Sequence, residues 1–250
     1  MTWVTTDDLT QRIDAGYYQP IYVEVTHKLK SRGTMVNLGS LAPKMSNGPH
    51  GGVTYVDERT GVLYLRAKNI HELSVNQDDP VYISRTDHEQ NKRAAVRPSD
   101  ILITITGANI GACGVVPEDI PEANIIQSLA RVRIETDDDP YYIAAYLDSS
   151  AGQLMIRRES VNTAREGLNF EYLAGIPVLL ADPSIQAAIG NKLRKVERLR
   201  LILKALYTSV RDDVERLAEG TLVKVKVVAE GEQAKKWLGH NPAPQSDGGK

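Results

Sequence analysis

An apolar residue recurs every seven positions near the end of the chain, and this repeat constrains the fold more than any other feature. Asp182-Pro183 has the form of a helix cap and first turn, and no further proline occurs up to Leu217. Such a repeat is typical of a coiled coil. It consists of Ile189, Val196, Leu203, Val210 and Leu217, with Leu199 and Leu206 at alternate core positions and Lys192 and Asp213 interrupting the others.

We predict one long spacer helix over residues 182–220, with an apolar stripe that packs against a partner helix. Basic residues beside the stripe favour a helix that projects from the body of the protein. A terminal helix lying on its own domain is the alternative. Residues 221–250 are expected to form a short strand and a disordered tail. The predicted interface residues are Ile189, Val196, Leu199, Leu203, Leu206 and Val210.

Residues 1–181 have the pattern of a separate α+β domain. Apolar spacing predicts helices over 7–33 and 140–157, and a last strand over 176–180. Short β segments separated by glycine- and proline-containing turns fill residues 34–135. The predicted fold class is therefore α+β: a mixed, β-rich domain followed by a long coiled-coil helix.

The stretch from Pro98 to Gly111 predicts a loop that lies close to a ligand. A polar turn leads into a buried strand over 101–106, and the loop that follows carries Thr106, Gly107 and Asn109. Its residues are small, and they offer hydroxyl and amide groups but no nucleophile with a neighbouring base. Such a loop suits binding better than acid–base chemistry.

Composition and motifs argue against several classes of protein. The single cysteine, Cys113, excludes an internal disulfide and a multi-cysteine zinc site, and we expect it to be buried. No apolar run reaches the length of a membrane helix, and the start lacks the pattern of a signal peptide, so we expect a cytoplasmic protein. Nucleotide-binding, methyltransferase, nuclease and hydrolase motifs are absent, and the five histidines lack metal-ligand spacing. We expect no catalytic residue, cofactor or metal.

Basic and amide side chains gather beside the predicted loops. Arginine and lysine suit guanine edges and phosphates, and asparagine suits adenine, so these side chains are candidate DNA contacts. The alternative is that each belongs to an ordinary solvated face, and the net charge of −2 does not indicate a nucleic-acid partner. The candidates are Arg66, Lys68, Asn69, Lys92, Arg93, Arg97, Thr106, Gly107, Asn109, Arg157, Arg158, Asn162 and Arg165.

The order of these motifs resembles the specificity subunits of type I restriction–modification systems, over roughly residues 10 to 217. Ser99 stands where that family usually has glycine. The matching segments are Arg12 to Tyr18, Gly61 to Ile70, Ser99 to Leu102, Gly107 to Gly111, the pair Asn124 and Gln127, Tyr141 to Leu147, and the strand that begins Ile176-Pro177-Val178.

The resemblance implies a non-catalytic subunit that recognises double-stranded DNA and directs other subunits to it. Its partners would be DNA adenine methyltransferase subunits and a restriction and translocase subunit. Family members usually carry two recognition domains and two spacers, and this chain has one of each, so it resembles a half-subunit that pairs with a second copy or another half. An adaptor that binds protein through its helix and does not read DNA is the alternative, favoured by the net charge.

Overall fold

The computed structural model describes residues 4–6, 9, 12, 14–160 and 167–221. Its contacts divide the chain into two compact units, Met1–Glu197 and Arg198–Lys250. The division falls inside the long helix, 16 residues beyond the domain boundary predicted at 181. The expected strand and tail at 221–250 lie outside the described residues, apart from Thr221.

Thirteen short strands of the described residues form three sheets in the first unit. One sheet has two strands, one has six in the order β2-β12-β9-β10-β6-β5, and one has five in the order β3-β7-β4-β11-β8. Two pairings, β6 with β10 and β4 with β11, are parallel, so both larger sheets are mixed. The strands are β1 Thr34–Asn37, β2 Ser46–Asn47, β3 Tyr55–Val56, β4 Gly61–Leu65, β5 Ile70–His71, β6 Leu73–Val75, β7 Tyr82–Ser84, β8 Ala95–Val96, β9 Ile101–Thr104, β10 Cys113–Val115, β11 Ala123–Ile125, β12 Leu129–Val132 and β13 Pro177–Leu180.

The six-stranded sheet is the middle layer of this unit, because β9 contributes side chains to two separate cores. Ile101 and Ile103 pack with the helices, and Leu102 packs towards the five-stranded sheet. Burial on both faces explains why β9 is an uninterrupted apolar run instead of an alternating pattern. Cys113 is buried as predicted, and burial raises the pKa of its thiol.

Seven α-helices are described. They are α1 Pro20–Lys30, α2 Leu38–Leu41, α3 Arg85–Gln90, α4 Pro140–Asp148, α5 Ser150–Ser160, α6 Phe170–Gly175 and α7 Pro183–Ala218. Short 3-10 turns cover Ala67–Asn69 and Lys92–Ala94. Mixed sheets followed by a long helix confirm the predicted α+β class.

Two of the helix predictions are wrong in extent. The predicted helix over 7–33 is not continuous, because residues 15–18 are a turn and α1 begins at Pro20, whose fixed φ suits a first turn. Residues 7, 8, 10, 11 and 13 of that prediction lie outside the described residues. The predicted helix over 140–157 is two helices, α4 and α5, because Ser149 between them is extended at φ −63° and ψ 159°. The Asp139 carboxylate caps α4 as expected, accepting a hydrogen bond from the Tyr141 N–H at 2.9 Å.

The first part of α7 packs against the body of its own unit. Gln186, Gly190, Leu193 and Glu197 are its buried residues, and their spacing of three and four places them on one helix face. Arg194 extends this contact with two hydrogen bonds to the Asp139 carboxylate, at 2.8 and 2.9 Å.

The second unit, within its described residues, is the remainder of α7 and the short segment after it. This part of the helix exposes a nearly continuous apolar stripe. No described helix is long and apolar enough to cross a membrane. The exposed apolar residues are Leu199, Leu201, Ile202, Leu203, Leu206, Tyr207, Val210, Val214 and Leu217.

Candidate nucleic-acid interface

The loop between β9 and β10 leaves the sheet as an exposed turn that needs two glycines. Gly107 and Gly111 have φ angles of +109° and +91°, in the region that favours glycine. A Cβ atom on Gly111 would also lie 3.0 Å from Ile156 of α5. Thr106, Gly107 and Asn109 are all exposed. The loop therefore presents one hydroxyl and one amide on a backbone that α5 supports.

Ser99, at a position where the resemblance implies glycine, takes a left-handed conformation at φ +70°. The turn it belongs to is closed by Asp100, whose carboxylate accepts a hydrogen bond from the Arg97 N–H at 2.9 Å. Serine therefore keeps the glycine-like backbone at this position, at the cost in strain that a side chain has there. The strand β9 still begins one residue after Asp100.

The connection from β11 to β12 brings the separate candidate loops together. The Ile126 N–H donates to the Leu65 carbonyl at 3.0 Å, next to Arg66, and the Ile105 N–H donates to the Ser128 carbonyl at 2.9 Å, next to Thr106. Asn47 Nδ2 donates to the Gln127 carbonyl at 3.3 Å. We call the exposed surface around Ile126–Ser128 the junction surface. Arg66 and Thr106 are 40 positions apart in the sequence and border the same short segment.

Gly48 allows the segment after β2 to lie directly against the end of β11, at one side of the junction surface. A Cβ atom at this position would lie 1.9 Å from the Ile125 carbonyl oxygen, a distance that no side chain tolerates. The neighbouring Ser46 Oγ donates to the Arg93 carbonyl at 2.5 Å. This contact brings the 3-10 turn with Lys92 and Arg93 to the same border. The exposed Gln127 lies at the centre.

Arg66 and Lys68 both contact the carboxylate of Asp79. Arg66 Nη2 lies 3.3 Å from Asp79 Oδ2 and also donates to the Asp79 carbonyl, and Lys68 Nζ donates to the same Oδ2. The Lys68 hydrogen bond and charge, followed by the charge of Arg66, lower the pKa of Asp79. Both predicted cations are therefore present at the surface, and both are already paired with one anion.

Asn69 has a different environment from its two neighbours. It is only 3% exposed, and its amide oxygen accepts from the Arg66 N–H at 2.9 Å. Its amide nitrogen donates to the Asp78 carbonyl at 3.0 Å. The side chain thus holds the loop that carries Asp79 against the turn that carries Arg66 and Lys68. A buried amide with these contacts positions other groups and does not face a ligand.

The candidates at 92–97 are exposed and differ in their pairing. Lys92 forms an ion pair with Glu89 at 2.5 Å, which raises the pKa of Lys92 and lowers that of Glu89. Arg93 and Arg97 present exposed side chains. Arg97 lies beside two arginines that were absent from the sequence-based candidates, Arg131 and Arg133.

Arg131 and Arg133 add positive charge around Asp100. Arg133 binds the buried carboxylate of Asp100 with two hydrogen bonds of 2.7 Å, which raise the pKa of Arg133. Arg131 donates to the Ala95 carbonyl at 2.9 Å, and its burial lowers its pKa, with the charges of Arg133 and Arg97 acting in the same direction. Their i, i+2 spacing in a predicted strand was the sequence signal that would have found them, because such residues share one face.

The candidates on α5 separate sharply. Arg157 is exposed, and Arg158 is only 5% exposed. Arg158 donates to the Tyr17 carbonyl at 3.2 Å and to Thr26 Oγ1 at 2.9 Å, and its guanidinium lies 4.0 Å from the centre of the Tyr17 ring. It therefore joins α5 to α1 and to the segment before it. Asn162 and Arg165 lie outside the described residues.

A further buried cluster at this end of the five-stranded sheet supports the junction surface. Asn124 is fully buried, and its amide nitrogen donates to the Asn91 carbonyl at 3.1 Å. Its amide oxygen contacts Nδ1 of the buried His88, whose Nε2 lies 3.2 Å from Glu122. The cluster fixes α3 and the turn at 92–94 to β11. No group of three or more metal-ligating side chains that could hold an ion occurs among the described residues.

The predicted interface residues on α7 have different surroundings in the structure. Ile189 packs against the core of the first unit, and Val196 is exposed. In the second unit, Leu199, Leu203, Leu206 and Val210 are all exposed.

Comparison with known proteins found similarity to restriction enzymes. The chain is 31% identical over 187 residues to the specificity subunit of the type I restriction enzyme EcoBI from Escherichia coli, across 74% of this chain and 38% of that relative. No family model matches. The chain thus spans well under half the length of the curated relative that it matches.

Solved structures share the fold at much lower identity. A chain from a structure describing the assembly and conformational transition of a type I restriction–modification system matches with a TM-score of 0.50 and 17% identity, over 81% of this chain and 51% of that chain. The type IIG restriction endonuclease BpuSI matches with a TM-score of 0.53 and 8% identity, over 71% of this chain and 28% of that one. The predicted resemblance is therefore confirmed: over most of its length the chain resembles the specificity subunits of type I restriction enzymes.

Proposed function

We propose that this chain is a sequence-specific, double-stranded DNA recognition subunit of a restriction–modification complex. The observation that carries the proposal is the junction surface, where the turn after β4, the glycine loop and the 3-10 turn at 92–94 border one exposed segment. Polar side chains on convergent turns, held by buried amides, can contact base edges in a groove. The similarity to the EcoBI specificity subunit supports the same role.

The candidate residues divide into contacting and positioning groups. The exposed side chains of Lys68, Arg93, Thr106 and Asn109 and the half-buried side chain of Arg66 would contact DNA, with Arg97 and Arg157 adding charge for phosphates. Asn69 and Arg158 would act through the backbone that they hold.

The chain itself would be non-catalytic and would direct a DNA adenine methyltransferase and a restriction and translocase subunit to the site. The exposed stripe on the second part of α7 would pack against another spacer helix. A second copy of the chain can supply that helix, and a symmetric pair would then recognise a split palindrome. Each exposed leucine of the stripe would gain about 1.5–3 kcal/mol on full burial.

Selection of binding sites from random duplexes tests the recognition role, using the chain assembled with its methyltransferase partner. Replacing a base-reading Thr106 or Asn109 with alanine should cost about 1–3 kcal/mol and relax one position of the site, whereas replacing Arg66 as a phosphate contact should weaken binding to all sequences similarly. Arg59→Ala is the matched control, because Arg59 is exposed at the opposite end of β4, roughly 17 Å away. An assembled complex that shows no preference among sequences would refute the role.

Light scattering of the isolated chain tests the pairing of α7. We expect a concentration-dependent dimer that Leu203→Glu converts to monomer. A wild-type chain that stays monomeric at every accessible concentration would indicate a helix from a different protein. A dimer that survives Leu203→Glu would place the interface elsewhere.

A protein-binding adaptor that does not read DNA is the second candidate. The net charge of −2 and the exposed stripe favour it. Gel shifts over a range of salt concentrations separate the two, since phosphate contacts weaken steeply as salt rises. Adaptor function predicts no shift at any salt concentration.

A further inference from the structure

Arg66 and Lys68 form a site for one anion, and a carboxylate of the chain itself occupies it. Both side chains reach the same oxygen, Oδ2 of Asp79, from different positions of the turn after β4. The other oxygen has no hydrogen bond to a described residue, and 71% of the Asp79 side chain is exposed. Arg66 Nε is buried without a hydrogen-bond partner among the described residues. The carboxylate therefore leaves part of the site unsatisfied.

The loop that carries Asp79 is built to hold this carboxylate in place. The buried Asn69 amide donates to the Asp78 carbonyl, and Gln77 Nε2 donates to the Asp119 carboxylate at 3.1 Å. Asp79 itself has a left-handed backbone at φ +48°, a conformation that aspartate adopts more readily than most residues with side chains. An ordinary surface ion pair does not need a buried amide that holds its loop in place.

Carboxylate and phosphate groups use the same partners. Guanidinium and ammonium groups donate to the oxygens of either anion, and an arginine with a lysine beside it is a common way to hold a phosphate. A phosphate offers more acceptor oxygens than the single carboxylate oxygen now in use. A phosphodiester of duplex DNA can therefore replace the carboxylate without any change in the two cations.

We propose that Asp79 is an internal counter-ion that occupies the phosphate site of Arg66 and Lys68 and must be displaced by the DNA backbone. The inference rests on the proposed function. Every encounter with DNA, specific or not, pays for breaking the two ion pairs, and only a cognate sequence returns that cost through base contacts. Asp79 thus weakens non-specific binding and raises discrimination between sequences.

The neighbouring Asp78 provides a matched control. It is exposed, it carries the same charge, and its carboxylate forms no ion pair with a described residue. Asp79→Asn and Asp78→Asn change the net charge equally, so any difference between them measures the local contact. A surface ion pair changes an equilibrium constant by at most about fivefold, so loss of two pairs should tighten binding by roughly 3- to 10-fold.

The experiment measures elution of the isolated chain from immobilised heparin, a sequence-independent polyanion. It then measures the affinity of the methyltransferase-assembled complex for random and for selected duplexes. Asp79→Asn should elute from heparin at higher salt than Asp78→Asn, and should bind random duplex roughly 3- to 10-fold tighter than that control. Its affinity for the selected site should rise less, so that discrimination falls. Lys68→Ala/Asp79→Asn should lose much of the gain.

The two readouts separate failure of this inference from failure of the proposed function. Equal elution of the two single variants from heparin overturns the inference, whether or not the complex binds DNA. Weaker polyanion binding by Asp79→Asn, together with a lower melting temperature, shows that Asp79 only stabilises the loop and also overturns it. A heparin difference without any duplex binding would leave an anion site in place and refute the DNA recognition role.

Discussion

The two parts of α7 belong to one continuous helix and have opposite surroundings. From Pro183 to Glu197 the helix uses a face with Gln186, Gly190 and Leu193 to pack on its own unit. From Arg198 onward the apolar residues are exposed, with Leu203 at 52%. The seven-residue repeat runs through both parts, so the repeat alone does not distinguish a helix that covers its own core from one that needs a partner.

The difference lies in residues that interrupt the repeat. Lys192 occupies an alternate core position of the predicted seam. The helix face that packs on the domain contains the next residue, Leu193, so Lys192 does not have to be apolar. Gly190 allows the Asp139 carboxylate to come close, and Arg194 binds that carboxylate. Gly190, Leu193 and Arg194 thus distinguish the part of the helix that packs on its own unit.

The strongest test of this contrast replaces one leucine in each part of α7. Leu193→Ala should lower the free energy of unfolding by about 2–5 kcal/mol, because it leaves a cavity beside the core. Leu203→Ala in dilute, monomeric protein should change it by less than about 0.5 kcal/mol, as for other exposed sites. Urea denaturation measures both. Equal effects would show that the two parts of the helix have the same surroundings.

Gly190→Ala should change the free energy of unfolding by less than Leu193→Ala does. Whether it destabilises or stabilises the protein is the informative result. A Cβ atom there would lie 2.3 Å from Asp139 Oδ2, so Gly190→Ala should displace the carboxylate that caps α4 and binds Arg194. Loss of the cap and the pair should outweigh the gain in helix propensity, which is about 1 kcal/mol, and leave a net loss of roughly 1–2 kcal/mol. Stabilisation by about 1 kcal/mol in thermal unfolding would mean that Asp139 moves freely.

The smallest effect should follow from Arg194→Lys. Lysine keeps the charge but cannot make the two parallel hydrogen bonds to Asp139, nor can it stack its head group on Tyr141, which the Arg194 guanidinium approaches at 4.3 Å. We expect a loss of about 1 kcal/mol in the free energy of unfolding. Arg198→Lys, in the exposed part of the helix, is the control and should have no measurable effect. If Arg194→Lys leaves the free energy of unfolding unchanged, the contact of the helix with its own unit depends on Leu193 and not on Arg194.

Much of the fold could be predicted because its elements have strong local signals. The buried run at 101–104, the cap and proline at 139–140 and the long helix from Pro183 depend on neighbouring residues, and their approximate positions follow from the sequence. The break at Ser149 also had a local signal, which the sequence-based prediction did not use: serine favours helix caps, and Ser149 Oγ accepts a hydrogen bond from the Gly152 N–H of α5 at 3.1 Å. The strands β1 and β11 have four and three residues, which is too short for the two-residue alternation of a strand to be recognised in the sequence.

The candidate site was less predictable, because its residues act through partners that are distant in the sequence. Arg157 and Arg158 are identical neighbours, yet only Arg158 meets Tyr17, which is 141 positions away. Asn69 and Lys68 both suggested DNA contacts, but the buried one holds a loop whose sequence shows no link to it. The arginines at 131 and 133 had a usable signal in their alternation, and the role of Gly48 had none before the loop was placed against Ile125.

The buried amides of Asn69 and Asn124 have a consequence for how this protein can evolve. They fix the turns around the junction surface through hydrogen bonds to main-chain carbonyls, which every residue type possesses. The exposed side chains on the same turns carry little of the folding free energy and can therefore be exchanged at small cost. Substitution of the exposed Arg93, Thr106 or Asn109 would leave the scaffold intact and change the side chains that the junction surface presents. Under the proposed function, new specificities would be accessible by single substitutions, without passing through unfolded intermediates.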